Sequence, residues 1–263
     1  MKQWIVDAFT DQPFKGNSAA VILVEEFPAE TWMQNVAIEN NLSETAYVKK
    51  IKPQHYAIRW FSPMTEVDFC GHATLASAHI LFNEFGVKGK LTFSTLHVGE
   101  LEIEKLENGR IQMSFPARPP VMLSTVPDQM YQGLSIKPRQ VLRSPQAYFA
   151  IYDNVQQVKE LGTDNELLKQ LAPYDVVATA KSDKWECDFV SRYFWPANGG
   201  DEDPVTGSIH AGLTPYWAEQ LDKSELIANQ ISTRGGTLYC QMADERVLVS
   251  GDAVIFSECD IRI

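Results

Sequence analysis

The sequence is poor in the features that mark most specialised protein classes. No apolar run approaches the roughly 20 residues that a membrane-spanning helix needs. Met1-Lys2-Gln3-Trp4-Ile5-Val6-Asp7 leads straight into strand-like sequence without the apolar core of a signal peptide. A cytoplasmic protein with no membrane partner is expected. Basic residues are in deficit, 23 Lys and Arg against 34 Asp and Glu, and the formal net charge of −11 disfavours nucleic acid as a partner. Cysteine is scarce: Cys70, Cys187, Cys240 and Cys259 fall into no C-x-x-C pair and have no His at ligand spacing. Free thiols are expected, with no metal. The absence of a G-x-G-x-x-G run argues in the same way against a dinucleotide, so no cofactor is expected.

What is present is an ordinary globular composition, 263 residues with 44% hydrophobic, enough to bury one large core or two small ones. Lys2 to Thr10 and Ala19 to Val24 read as strands around the turn material Gln12 to Ser18. Trp32, Met33, Val36 and Ala37 recur at helical spacing, and Asn40-Asn41 ends that helix. This places Glu44 in the loop entering a strand over residues 45–48. A strand over 56–61 leads to Cys70-Gly71-His72-Ala73-Thr74 and a mostly apolar, hence buried, helix that stops near Gly86. The cluster Pro116-Ala117-Arg118-Pro119-Pro120 marks a boundary between domains at 1–117 and 118–263.

Beyond that boundary the plan repeats. Arg59-Trp60-Phe61-Ser62-Pro63 is echoed by Arg192-Tyr193-Phe194-Trp195-Pro196, and Cys70 to Thr74 by Pro204-Val205-Thr206-Gly207-Ser208 at nearly the same offset. Each echo precedes a helix rich in small apolar residues, here Ile209 to Leu221. Two echoes in register imply duplication, and with it two similar strand-rich domains whose helix starts face a shared cleft, a favoured place for a ligand.

Unsatisfied amides at a helix start bind anions, and Gly lets a ligand approach the backbone. Gly71, Gly207 and Ser208 are therefore expected to hold a carboxylate. For either copy alone, simple capping by Asp203, Thr206 or Ser208 is the better explanation of the same residues; two related copies shift the balance to a carboxylate site. A lone Glu44 is by default a solvated carboxylate, and a lone His72 a hydrogen-bonded histidine.

The order of motifs changes that balance. Val6-Asp7-Ala8-Phe9-Thr10, Phe14-x-Gly16-Asn17, Ser43-Glu44-Thr45-Ala46, Gly71-His72-Ala73-Thr74, Glu202 to Ser208 and Arg234-Gly235-Gly236 run in sequence along nearly the whole chain. Together they resemble the signature of the PhzF family, named for the phenazine-biosynthesis isomerase. The resemblance implies an α+β, diaminopimelate epimerase-like fold: two pseudo-symmetric domains, each an antiparallel β-barrel around a central α-helix. It also implies a cofactor-independent proton shift, a 1,3-shift or an epimerisation, on a small carboxylate-bearing metabolite. Glu44 matches the base, His72 and Asp203 other polar groups of the active site, and Gly71, Gly207 and Ser208 the substrate-binding positions; a homodimer is implied as well. Ser18 departs from the Pro common after Gly-Asn. In related epimerases two cysteines at the two helix starts act as acid and base, but here Pro204 stands opposite Cys70, so a two-thiol mechanism is not available. A non-catalytic carboxylate-binding protein on the same scaffold is the competing reading, and redox sensing through Cys70 a third.

Overall fold

The computed structural model describes residues 1–183 and 186–262. The chain divides into two compact units, Met1–Ser114 with Ser250–Ile263, and Phe115–Val249. The C-terminal segment, placed with the second half by the sequence reading, packs in the first unit because strand Ala253–Asp260 pairs antiparallel with the first strand of the chain. Among the described residues no helix is long and apolar enough to cross a membrane.

The first unit runs β1 (Lys2–Ala8), β2 (Asn17–Val24), α1 (Glu30–Asn40), β3 (Glu44–Lys52), β4 (His55–Phe61), β5 (Glu66–Val67), α2 (Gly71–Asn83), β6 (Leu91–Ser94), β7 (Glu100–Lys105) and β8 (Ile111–Pro116). Helix α1 stops where Asn41 adopts left-handed φ of 48° and its amide bonds back to Ala37 O. Helix α2 buries eleven of its thirteen residues, including Leu75, Ile80 and Leu81, and packs on β1, β2 and β3. That is the buried helix expected from its apolar composition.

The second unit runs β9 (Val121–Met122), α3 (Asp128–Gln132), β10 (Gln140–Arg143), β11 (Ala147–Tyr152), α4 (Val155–Glu160), α5 (Asn165–Leu168), β12 (Asp175–Lys181), β13 (Phe189–Trp195), β14 (Gly200–Asp203), α6 (His210–Leu221), β15 (Glu225–Gln230), β16 (Gly236–Ala243) and β17 (Arg246–Gly251). Pro215 lies inside α6 and cannot donate to Ala211 O, four residues earlier. Arg118 N–H takes that carbonyl at 2.8 Å. Gly212 lets the Arg118 segment lie so close, since a Cβ there would stand 3.0 Å from Arg118 O and 2.7 Å from Phe149 Cζ.

The repeat is a repeat of topology. β2 pairs parallel with β3 across α1, and β4 with β6 across α2; β11 pairs parallel with β12 across α4 and α5, and β13 with β15 across α6. The largely antiparallel sheets expected from the resemblance thus each include parallel pairs. A helical crossover returns the chain to the same end of the sheet, so these helices join parallel pairs, while hairpin-linked neighbours such as β1 and β2, β3 and β4, β12 and β13, and β15 and β16 pair antiparallel. The echoed arginines occupy matching places in the two units: Arg59 is bidentate to Glu66 across β4 and β5 at 2.6 and 2.5 Å, and Arg192 to Glu202 across β13 and β14 at 2.7 and 2.8 Å. Each guanidinium also lies over the Phe two residues on, Phe61 or Phe194. These arginines staple short strands to their sheets.

Candidate active site

The expected site residues fall into two groups, one in each unit. In the first, the chain turns from β1 to β2 at Gly16, whose φ of +66° and closeness to Ala8 O exclude any side chain. Asn17 thereby enters β2 fully buried. Ser43 and Glu44 follow the end of α1, and Glu44 is the first residue of β3, in register with Ala19 of the parallel β2. It is therefore not a loop residue, as the sequence reading had it, and only 7% of its surface is exposed. The strand begins early because parallel pairing with β2 recruits Glu44, an interaction between segments distant in sequence. His72, in the first turn of α2, is 4% exposed.

His72 Nε2 lies 2.9 Å from Glu44 Oε2. The two are close but not aligned for a hydrogen bond, so the buried Oε2 has no donor. On the other side of the ring Nδ1 lies 3.1 Å from Asn17 Nδ2, and Ser43 Oγ donates to Asn17 Oδ1 at 2.9 Å. Burial works against a charge on His72, but Cys70 and Glu44 beside it outweigh burial and hold the imidazole well above its usual range. Burial, with the Glu44 charge, pushes the Cys70 thiol up to about 11. Cys70 is thus neutral at pH 7, and the attraction holding a proton on His72 comes from Glu44.

Glu44, Cys70 and His72 each offer a potential metal ligand, all within 4.8 Å of one another, a cluster made by the fold that no spacing in the sequence reveals. Cys70 Sγ, however, lies 3.5 Å from Nδ1 and 3.9 Å from Nε2. Nearly equidistant from both ring nitrogens, it sits beside the ring and in line with neither lone pair, and Asn17 already occupies Nδ1. The three do not converge on one ion.

A neutral spectator thiol has a testable consequence. Cys70→Ser is expected to keep turnover within about tenfold of wild type, a difference of about 1.4 kcal/mol in barrier. Loss of several orders of magnitude with an unchanged fold would give the thiol a chemical role.

In the second unit Asp203 closes β14, and α6 begins only at His210. Thr206 Oγ1 donates to Asp203 Oδ2, and Gln230 clamps the turn by donating to Asp203 O at 2.7 Å while its Oε1 accepts from Thr206 N at 2.9 Å. Gly207 lies in this turn, and its carbonyl accepts from His210 N. Ser208 does not cap the helix. Its Oγ accepts from Gln146 Nε2 at 2.9 Å, the same amide nitrogen donates to Tyr193 Oη at 2.9 Å, and Tyr193 donates to Asp175 at 2.6 Å. With both Gln146 amide protons engaged and its own oxygen already accepting, Ser208 has its hydroxyl proton left to give, which suits an acceptor-only group such as a carboxylate.

His210 in the same region is satisfied only in part: Nδ1 meets Thr206 O at 2.9 Å, while the buried Nε2 has no hydrogen-bond partner. Burial pulls its pKa down to about 4, leaving it neutral at pH 7. Sequence reasoning assigned no role to Asn17, although it lies within the Gly16-Asn17 motif. It named Tyr193 only within an echoed segment and missed Gln146 and Asp175 altogether, because nothing in the sequence marks three residues from three strand regions as neighbours.

A family model described as PhzC-PhzF, phenazine biosynthesis-like protein, matches residues 6–259. An uncharacterized isomerase of Halalkalibacterium halodurans is 44% identical over 253 residues, 95% of this chain and 94% of its own. A crystal structure of a PhzF-family phenazine biosynthesis protein from Enterococcus faecalis superposes with a TM-score of 0.93 at 40% identity, covering 100% of this chain and 99% of the other. A probable proline racemase from Agrobacterium radiobacter shares the fold alone, with a TM-score of 0.65 at 11% identity over 100% of this chain and 93% of its own; the architecture is thus the α+β, diaminopimelate epimerase-like one. The chain belongs to the PhzC-PhzF, phenazine biosynthesis-like family, as an isomerase.

Proposed function

We propose that the chain catalyses a cofactor-independent proton transfer, a 1,3-shift or an epimerisation, on a small carboxylate-bearing metabolite, as a cytoplasmic homodimer. Glu44 is the base, His72 and Asp203 polarise or reprotonate the substrate, and Ser208 with the backbone at Gly71 and Gly207 holds the carboxylate. The observation that supports this most is Glu44 Oε2 itself, buried beside His72 yet without a hydrogen-bond donor. A carboxylate oxygen kept in that state is ready to accept a proton from carbon. In a protein that merely captured anions, a buried second carboxylate would repel the ligand and carry a desolvation cost with no return. Ser208, presented as a donor by Gln146, supplies the complementary grip.

The test is a panel of small unsaturated or α-protonated carboxylic acids incubated with chelator-treated protein in D2O and followed by proton NMR. At least one acid is expected to isomerise, or to lose a C–H signal, without added metal or nucleotide. Turnover that disappears with the chelator and returns only with a metal would overturn the reading.

A further inference from the structure

We propose that Asn17, held by Ser43, is a positioning residue that decides which imidazole nitrogen of His72 carries the proton. Its kinetic consequence rests on the reading of Glu44 and His72 as the proton-transfer pair; its structural content does not. Ser43 Oγ donates to Asn17 Oδ1, which turns the amide Nδ2 toward His72 Nδ1. An amide nitrogen can only donate, so the neutral ring must present a bare Nδ1 to it and carry its proton on Nε2. Nε2 is the nitrogen 2.9 Å from Glu44. The buried amide thus keeps the ring proton on the nitrogen that lies beside Glu44.

The same contact opposes a second proton. To accept Nδ1–H, Asn17 must turn its amide over, and Ser43 must change from donor to acceptor. The titratable groups that face the ring are Cys70, before α2, and Glu44, from β3. Glu44 favours the imidazolium, whereas the Asn17–Ser43 pair favours the neutral ring with Nε2–H. Asn17 can perform this task because Gly16, where a Cβ would stand 2.1 Å from Ala8 O, lets β2 enter close against β1 and leaves the amide fully buried.

The experiment uses uniformly 15N-labelled full-length protein and long-range proton–nitrogen correlations of the imidazoles, with His72 assigned by its loss in His72→Gln. Above its titration midpoint, His72 of the wild type is expected to show Nδ1 unprotonated and Nε2 protonated. Asn17→Asp keeps the shape but places an acceptor-only group opposite Nδ1. It is expected to move the proton to Nδ1 and to shift the titration upward by about one pH unit, tenfold in proton affinity. A wild-type ring protonated at Nδ1, or an Asn17→Asp ring unchanged in tautomer and titration, would overturn the proposal. If Asn17→Asp does not fold, the wild-type spectrum alone still decides. No substrate enters the measurement, so a catalytically silent Glu44 would leave this result standing, and a failure here would leave Glu44 untouched.

Discussion

Glu44→Gln is expected to lower turnover by about 10²- to 10⁴-fold, the range in which a positioned general base contributes, with the dissociation constant of the substrate unchanged within about tenfold. Gln keeps the size and planarity of the side chain but cannot take a proton from carbon near neutral pH. Although the residue is buried in the first position of β3, the fold should tolerate the change, because Oε2 has no hydrogen-bond donor to lose. The carboxylate grip is assigned to Gly71, Gly207 and Ser208, so chemistry is expected to fail where binding does not. Turnover comparable to wild type would remove Glu44 from the mechanism. Equal losses in binding and turnover would make it a structural residue.

Gly16→Ala is expected to destabilise the protein by about 3 kcal/mol. A left-handed φ costs a residue with a Cβ roughly 1–2 kcal/mol. At +66° that Cβ would also stand 2.1 Å from Ala8 O and 2.7 Å from Thr10 Cγ2, and forcing atoms into a packed site costs a further 1–3 kcal/mol or so. For a chain of this size the loss corresponds to a fall in melting temperature of about 6–12 °C. Gly109→Ala is the control: its φ is +89° and nothing lies within 4 Å of the added atom, so only the backbone penalty applies. Thermal melts of both variants check the argument, and equal losses would show that the contact with Ala8 is relieved at no cost. Because Asn17 follows directly, the Gly16 variant should also disturb the titration of His72, whereas the Gly109 variant should not.

The parts of the fold that depend on neighbours in sequence were legible before the structure. The apolar stretch after Gly71 does form a buried helix, and the Asn40-Asn41 stop does end α1 at a left-handed cap. The duplication was visible in the Arg59 and Arg192 echoes, because each copy needs an arginine at the same bend to staple a short strand. Strand direction was not legible. Whether β2 and β3 run parallel depends on where α1 returns the chain, and an alternating pattern looks the same in either direction. For the same reason Glu44 was read as a loop residue. The division at residue 118 missed the strand after Ala253, since pairing with β1 joins the two ends of the sequence. At the candidate site, motifs picked out Glu44, His72, Asp203 and Ser208, which are chemically distinctive. The relay from Asp175 through Tyr193 and Gln146 to Ser208 is made of residue types that are common in any loop, and only the packing of three strand regions brings them together.

The most direct measurement of the central claim is the exchange of a substrate C–H with solvent deuterium in wild type and in Glu44→Gln, on the same carboxylate and at saturating concentration. Wild-type protein is expected to move that proton during turnover and to place solvent deuterium in the product or in recovered substrate. Glu44→Gln is expected to bind the same compound and leave its C–H signals intact over times at least a hundredfold longer, the lower end of the contribution of a general base. Exchange at the wild-type rate in the Gln variant would contradict the account, because some other group would then be taking the proton from carbon.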